Sequence, residues 1–255
     1  MAMRSAATAI LDIDGTLVDT NYQHVLAWQR AFRASGLQVA ASRIHRHIGM
    51  GGDRLVGKVA GDRFERDHGD EIRSAEADLY AEMTDEVVPF DDAQELLREL
   101  RRHDYRIVLA SSAKPEEVER YVEMLDARDL ADGWTTADDV ESTKPSAELV
   151  EAALEIGSEP AVMVGDTVWD VIAARKAGVP CLAVLTGGIS ALELRAAGAV
   201  SVYRSVSDLA GELQRGARLE DAALENGHRS SLTRAFARRA AAGMHSSSGR
   251  LVGPR

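Results

Sequence analysis

Four short, continuous apolar runs constrain this chain more than any other feature: TAILDI (8–13), YRIVLAS (105–111), AVMVG (161–165) and VPCLAVL (179–185). Runs rich in Val, Ile and Leu that do not alternate with polar residues fit strands covered on both faces. Between them lie helical patterns, DDAQELLRELRRH (91–103), KPEEVERYVEML (114–125) and SAELVEAALEIG (146–157), and helices are the crossovers that parallel strands require. In the first pattern Asp91 or Asp92 stands where an N-cap belongs and Leu96, Leu97 and Leu100 share one face; the last ends in Gly157, suited to a C-cap. The expected fold class is α/β, a doubly wound, mostly parallel sheet.

Residues 21–87 break this alternation. NYQHVLAWQRAFRASG and ERDHGDEIRSAEADLYAEM have the helical period, and no convincing strand separates them. An inserted α-helical domain is expected here, joined to the core near Asp19 to Tyr22 and near Val87 to Phe90, where Pro89 disfavours continuing the helix. Residues 1–20 and 88–215 then form the core, and 216–255 a basic tail. From Asn226 onward the tail holds six arginines, no lysine and none of the 41 acidic residues. Leu232, Phe236, Ala240 and Met244 recur at intervals of four, the spacing of a short amphipathic helix for a partner or an anionic surface, although a mobile segment is the commoner outcome for such a terminus.

With 255 residues, 45% of them hydrophobic, the chain can bury one substantial core and a second small one. A net charge of −11 argues against a surface built to grip nucleic acid or anionic lipid, yet leaves a small anionic substrate open, because local charge decides that. The single cysteine, Cys181, excludes an internal disulfide and reads as a core residue. The segment before Asp12 is too short for a signal peptide and no apolar stretch has membrane-spanning length, so a cytoplasmic protein is expected.

Ligands of open parallel sheets bind beyond the carboxyl ends of the strands. There the first run delivers Asp12 and Asp14, the second Ser111 and Ser112, and the third Asp166 with Asp170 four residues on; Lys144 opens a helix in STKPSAEL. Asp12 and Asp14 project to the same side of an extended chain, and Gly15 frees the backbone to turn. Carboxylates with a lysine and hydroxyls suit a hard cation such as Mg²⁺ together with a phosphoryl group.

DIDGTLVDT, the LASSA segment with Ser111, Lys144-Pro145 and VGDTVWD resemble, in order and spacing, the four motifs of the haloacid dehalogenase-like (HAD) hydrolases. The resemblance runs from about residue 8 to 215, closest to the phosphoglycolate phosphatase and β-phosphoglucomutase-like branch, and makes the 21–87 insertion a helical C1 cap on a Rossmann-like core. It implies a Mg²⁺-dependent phosphatase of small phosphomonoesters. Asp12 would be the nucleophile and form an aspartyl-phosphate; Asp14 would be the acid and base. Ser111, with Ser112 as its rival, and Lys144 would hold the phosphoryl group. Asp12, Asp166 and the backbone carbonyl of Asp14 would bind Mg²⁺, with Asp170 as a ligand or its support.

Asp14 argues against a dehalogenase, which lacks the second aspartate. Lys58, the only lysine of the insertion, reads as a solvated helix residue. A sugar-phosphate mutase is a closer alternative, since His24, Trp28 and Lys114 match that branch, but aligning HRHIGMGGDRL puts Gly52 where mutases have an arginine, with Arg54 as a substitute. IGMGGDRL, with Gly51, Gly52 and Arg54, is either a substrate-facing loop or a tight connection between helices. His45 and His47 lack a third ligand nearby and read as loop residues. A non-catalytic binding module is the remaining alternative, disfavoured by the intact set of Asp12, Asp14, Ser111, Lys144 and Asp166.

Overall fold

The computed structural model describes residues 6–221. The spaced tail residues Leu232 to Met244 and all six tail arginines lie outside the described residues. Six strands, β1 (Thr8–Asp12), β2 (Arg106–Ala110), β3 (Gly133–Thr135), β4 (Ala161–Gly165), β5 (Cys181–Val184) and β6 (Ser201–Tyr203), form one parallel sheet in the order β3-β2-β1-β4-β5-β6. The four apolar runs are the four central strands. β3 and β6 are edge strands of three residues, too short to leave a hydrophobic run in the sequence.

Alternation within each strand divides the core. Leu11, Leu109, Val164 and Leu182 point to one face of the sheet, and Ile10, Val108, Met163 and Cys181 to the other. The first face is covered by α5 (Ala93–Arg102), α6 (Pro115–Met124) and α10 (Val206–Gln214); the second by α7 (Glu148–Ile156), α8 (Val168–Lys176) and α9 (Ala191–Ala197). Leu96, Leu97 and Leu100 are buried as their spacing predicts. Asp92 stands at the head of α5 with φ 62°, left-handed rather than extended, and its side chain makes no capping bond.

Between β1 and α5 lie α1 (Asn21–Ala34), α2 (Ala41–His45), α3 (Gly52–Ala60) and α4 (Asp62–Ala81). Val25, Trp28, Phe32, Ile44, Leu55, Val56 and Ile72 give them a hydrophobic cluster of their own. The two connections to the core run side by side: Asp19 N–H donates to Val88 O at 2.9 Å, Phe90 N–H donates to Leu17 O at 2.9 Å, and Val18 bridges Pro89. Away from this ribbon the contacts of the helices with the core include Arg46, 2.6 Å from Glu193, and His45 Nε2, 2.9 Å from Gly187 O. No helix among the described residues is long and apolar enough to cross a membrane.

Candidate active site

β1 lies between β2 and β4, and its register sets Asp12 opposite Ala110, one residue before Ser111, and Leu11 opposite Val164, two residues before Asp166. The sheet therefore delivers Asp12, Ser111 and Asp166 to one edge. Asp170 arrives by helix capping: Thr167 caps α8, and the Asp170 carboxylate accepts from Thr167 N–H at 3.0 Å and Oγ1 at 2.6 Å. Its other oxygen lies 2.7 Å from Lys144 Nζ, which also donates to Asp12 Oδ1. Gly15, at φ 76°, turns the chain after Asp14, and a Cβ there would collide with Asn21 and Asp166.

Asp12, Asp166 and Asp170 are buried, and each presents an oxygen within 4.8 Å of the others. Thr16 Oγ1 donates to Asp12 at 2.8 Å and to Asp166 at 3.1 Å, and Asn21 Nδ2 donates to Asp166 at 2.9 Å. Burial, then the charge of Asp170, raises the Asp166 pKa to about 7 and drives that of Asp12 well up, although Lys144 opposes both. Three buried carboxylates facing one ammonium form an oxygen-only, electron-rich donor set, and a hard divalent cation fits it.

Asp14 is held differently. Burial alone would raise its pKa, but His24, followed by the Ser111 hydroxyl, outweighs burial and lowers it. Ser111 Oγ donates to Asp14 Oδ2 at 2.7 Å, Thr20 Oγ1 to Oδ1 at 3.1 Å, and His24 Nε2 lies 3.8 Å from Oδ1. The His24 ring stacks on Tyr80 at 3.8 Å, with Nδ1 2.9 Å from Glu76 Oε1. Against its burial, Asp14 and Glu76 raise the His24 pKa to about 10. His24 is thus a cation at neutral pH, wedged between two carboxylates.

A cavity of about 320 Å³ opens over these groups, between the sheet edge and the inserted helices. It brings together Asp12, Asp14, Ser112, Lys144, His24, Gly51 and Gly52. Ser111, Asp166 and Asp170 stand behind that wall, fully buried. Ser111 is hydrogen-bonded to Asp14, whereas the Ser112 hydroxyl has no hydrogen-bond partner among the described residues. Arg54 does not line the cavity: its side chain is 45% exposed and lies 3.6 Å from Asp53. Being on the helix that Gly52 begins, it points away while the glycines stay inside.

IGMGGDRL both faces the cavity and opens α3. Gly51 N–H donates to Thr143 Oγ1 at 3.1 Å, an approach with no room for a Cβ, and Thr143 donates to Asp53. His47 packs on Trp169 and His45 on Tyr22, as structural contacts. Lys58 is exposed on α3, and Cys181 is buried in β5. Arg73, Glu76 and Glu117 also line the cavity and were not singled out from the sequence. Arg73 and Glu76 share a face of α4, and the packing of α4 on α1 and α3 directs that face inward.

The family model for haloacid dehalogenase-like hydrolases matches residues 6–178. The chain belongs to this family. Among curated HAD relatives, it is 30% identical to a validoxylamine A 7'-phosphate phosphatase of Streptomyces hygroscopicus, over 70% of this chain and 85% of that one. It is 27% identical to a phosphoglycolate phosphatase of Aquifex aeolicus, over 70% and 84%. Among solved structures, a hydrolase from Pseudomonas syringae superposes with a TM-score of 0.77 at 29% identity, covering 83% of this chain and all of the other.

Proposed function

We propose that this HAD hydrolase is a phosphatase that hydrolyses a small phosphomonoester through an aspartyl-phosphate on Asp12. The observation that carries the reading is that Asp12 and Asp14 face one cavity, with Lys144 bonded to the first and Ser111 to the second. Asp12 Oδ attacks phosphorus as the bond to the leaving oxygen breaks, and Asp14 passes a proton to that oxygen. Asp14 then takes a proton from water, whose oxygen attacks phosphorus and releases Asp12 with inorganic phosphate. Resting Asp14 is kept ionised by His24 and Ser111; an arriving phosphoryl dianion raises its proton affinity, and Asp14 takes up from solvent the proton that it passes to the leaving oxygen.

Lys144 orients Asp12 and balances charge on the transferring group, and the unpartnered Ser112 hydroxyl offers that group a donor. Asp12, Asp166 and Asp170, with the Asp14 carbonyl, would hold Mg²⁺, which when bound supplies electrostatic relief between the carboxylate and the phosphoryl oxygens. The inserted helices act as the cap, supplying the walls that exclude water.

A mutase would need a free cation for a second phosphate. Gly52 supplies none, Arg54 lies outside, and Arg73 is already bonded to Glu65 and Asp70, so among the described lining residues Lys114 alone is a cation without an ion pair. The test is phosphate release from p-nitrophenyl phosphate and a panel of sugar phosphates, with Mg²⁺ or EDTA, by wild type and Asp12→Asn. Release that needs both Mg²⁺ and Asp12, with a loss of about 1000-fold or more in the variant, is expected. Undiminished turnover by Asp12→Asn refutes the nucleophile.

A further inference from the structure

The segment from His45 to Asp53 joins α2 to α3 and meets the core at three points, each beside a residue of the site. His45 Nε2 lies 2.9 Å from Gly187 O, and Gly187 packs against the Asp166 carboxylate with no room for a Cβ. Gly49 packs as closely on Thr167, the residue that fixes Asp170. The third point, Thr143, is met by an acidic side chain. Thr143 precedes Lys144 on the turn before α7, and the residues before it are tied to the core: Glu141 N–H and Ser142 N–H both donate to Glu148 Oε2 at 2.9 Å. Thr143 is tied to the inserted helices instead. Its hydroxyl accepts from Gly51 N–H at 3.1 Å and donates to Asp53 Oδ1, and its backbone nitrogen lies 3.5 Å from Asp53 Oδ2.

Asp53 thus meets both donors of Thr143 with its two carboxylate oxygens. Thr143 is buried, so lifting the helices would strip its hydroxyl and its N–H of these partners. One residue further on, Lys144 Nζ bonds Asp12 and Asp170. The lysine stem is flexible, so its ammonium is placed by where the backbone holds its Cα. We infer that Asp53 is a positioning residue: by gripping Thr143 from the inserted helices it sets the Lys144 backbone, so that closing the cavity and bonding Lys144 to Asp12 are one event. The inference rests on the phosphatase reading above for what Lys144 does, and deepens it by naming what places that lysine.

Two measurements on the full chain test this. The first is steady-state hydrolysis of p-nitrophenyl phosphate with Mg²⁺. Asp53→Ala and Thr143→Val are each expected to lower kcat about tenfold and to change KM by less than about threefold, because the lost contact bears on the transferring group; the double variant should be no slower than either alone. Asp53→Asn keeps an oxygen for the Thr143 hydroxyl and should retain most of kcat. The second is acetylation by N-hydroxysuccinimidyl acetate, read by peptide mass spectrometry, with exposed Lys58 as the internal reference and iodoacetamide labelling of buried Cys181 as the monitor of unfolding. Lys144 is expected to react several-fold faster in Asp53→Ala and Thr143→Val than in wild type, while Cys181 stays unlabelled. If wild type releases no phosphate and the Lys144 rate still responds to Asp53, the phosphatase reading fails and the coupling stands. A raised KM with unchanged kcat, an unchanged Lys144 rate, or a rise of Lys144 and Cys181 together in both variants overturns the inference.

Discussion

An unsatisfied carboxylate in a cavity should cost the folded protein stability, and Glu117→Gln measures that cost. Burial raises the Glu117 pKa from 4.5 to about 7; Asp14 and Glu76 push the same way, while His24 and Lys114 oppose. A raised folded-state pKa means that the native chain holds the proton more tightly than the unfolded chain does. Stability therefore falls as pH rises from 4.5 through about 7, and is lowest above that window. At 1.36 kcal/mol per unit the full shift is worth about 3 kcal/mol, and for a half-buried side chain screened by water about 1–2 kcal/mol is expected. Glutamine keeps the shape and removes the charge. Urea unfolding of both proteins at pH 5 and pH 8 should show the stability difference moving by about 1–2 kcal/mol in favour of glutamine at the higher pH. His24, protonated up to about 10, stays charged throughout. A difference that is equal at the two values, or that favours glutamate at pH 8, would refute the account and assign Glu117 a partner in the free protein.

Three further outcomes follow from other contacts. Tyr80 and Tyr121, both buried, join α4 to α6 through hydroxyls 2.6 Å apart, so Tyr121→Phe should cost about 1–3 kcal/mol in urea unfolding by stranding its partner, and adding Tyr80→Phe should cost little more; full additivity would contradict the coupling. Mg²⁺ at about 100 times its dissociation constant should stabilise the protein by about 2.7 kcal/mol, read as a rise in Tm over the EDTA-treated protein, and Asp166→Asn should abolish the rise. Burial raises the Cys181 thiol well above its ordinary pKa, so a thiol reagent should label the chain only after unfolding; rapid labelling of native protein would show that β5 is exposed.

The central sheet was legible because each of its four inner strands is buried on both faces and so leaves an uninterrupted apolar run. The edge strands Gly133–Thr135 and Ser201–Tyr203 pair on one side only, and no such run marks them. Asp12, Asp14 and Asp166 were legible for a related reason: the sheet edge collects whatever follows each strand, so position along the chain already implied proximity, whereas Lys144 comes from the turn before α7 and was legible through the motif it resembles. Asp170 could have been placed more firmly from Thr167, since Thr-x-x-Asp at a helix start is a capping box, and its geometry turns one carboxylate oxygen toward the helix and leaves the other for Lys144.

The far wall of the cavity followed no such rule. Arg73 and Glu76 come from α4, Glu117 from α6 and Thr143 from a loop, and what joins them is the packing of the inserted helices over the sheet edge. On α4, Arg73 and Glu76 are two charged residues among many, and neither differs in sequence from a solvated helix face. Arg54 shows the converse: three residues after Gly51 its position in the sequence suits it to meet an anion, yet the turn that brings the Gly51 amide to Thr143 starts α3 and carries Arg54 outward. The chemistry common to HAD hydrolases thus sits where strand order dictates. The residues of the facing wall sit where helix packing dictates, so the chain that revealed Asp12 at once disclosed Glu117 only after folding.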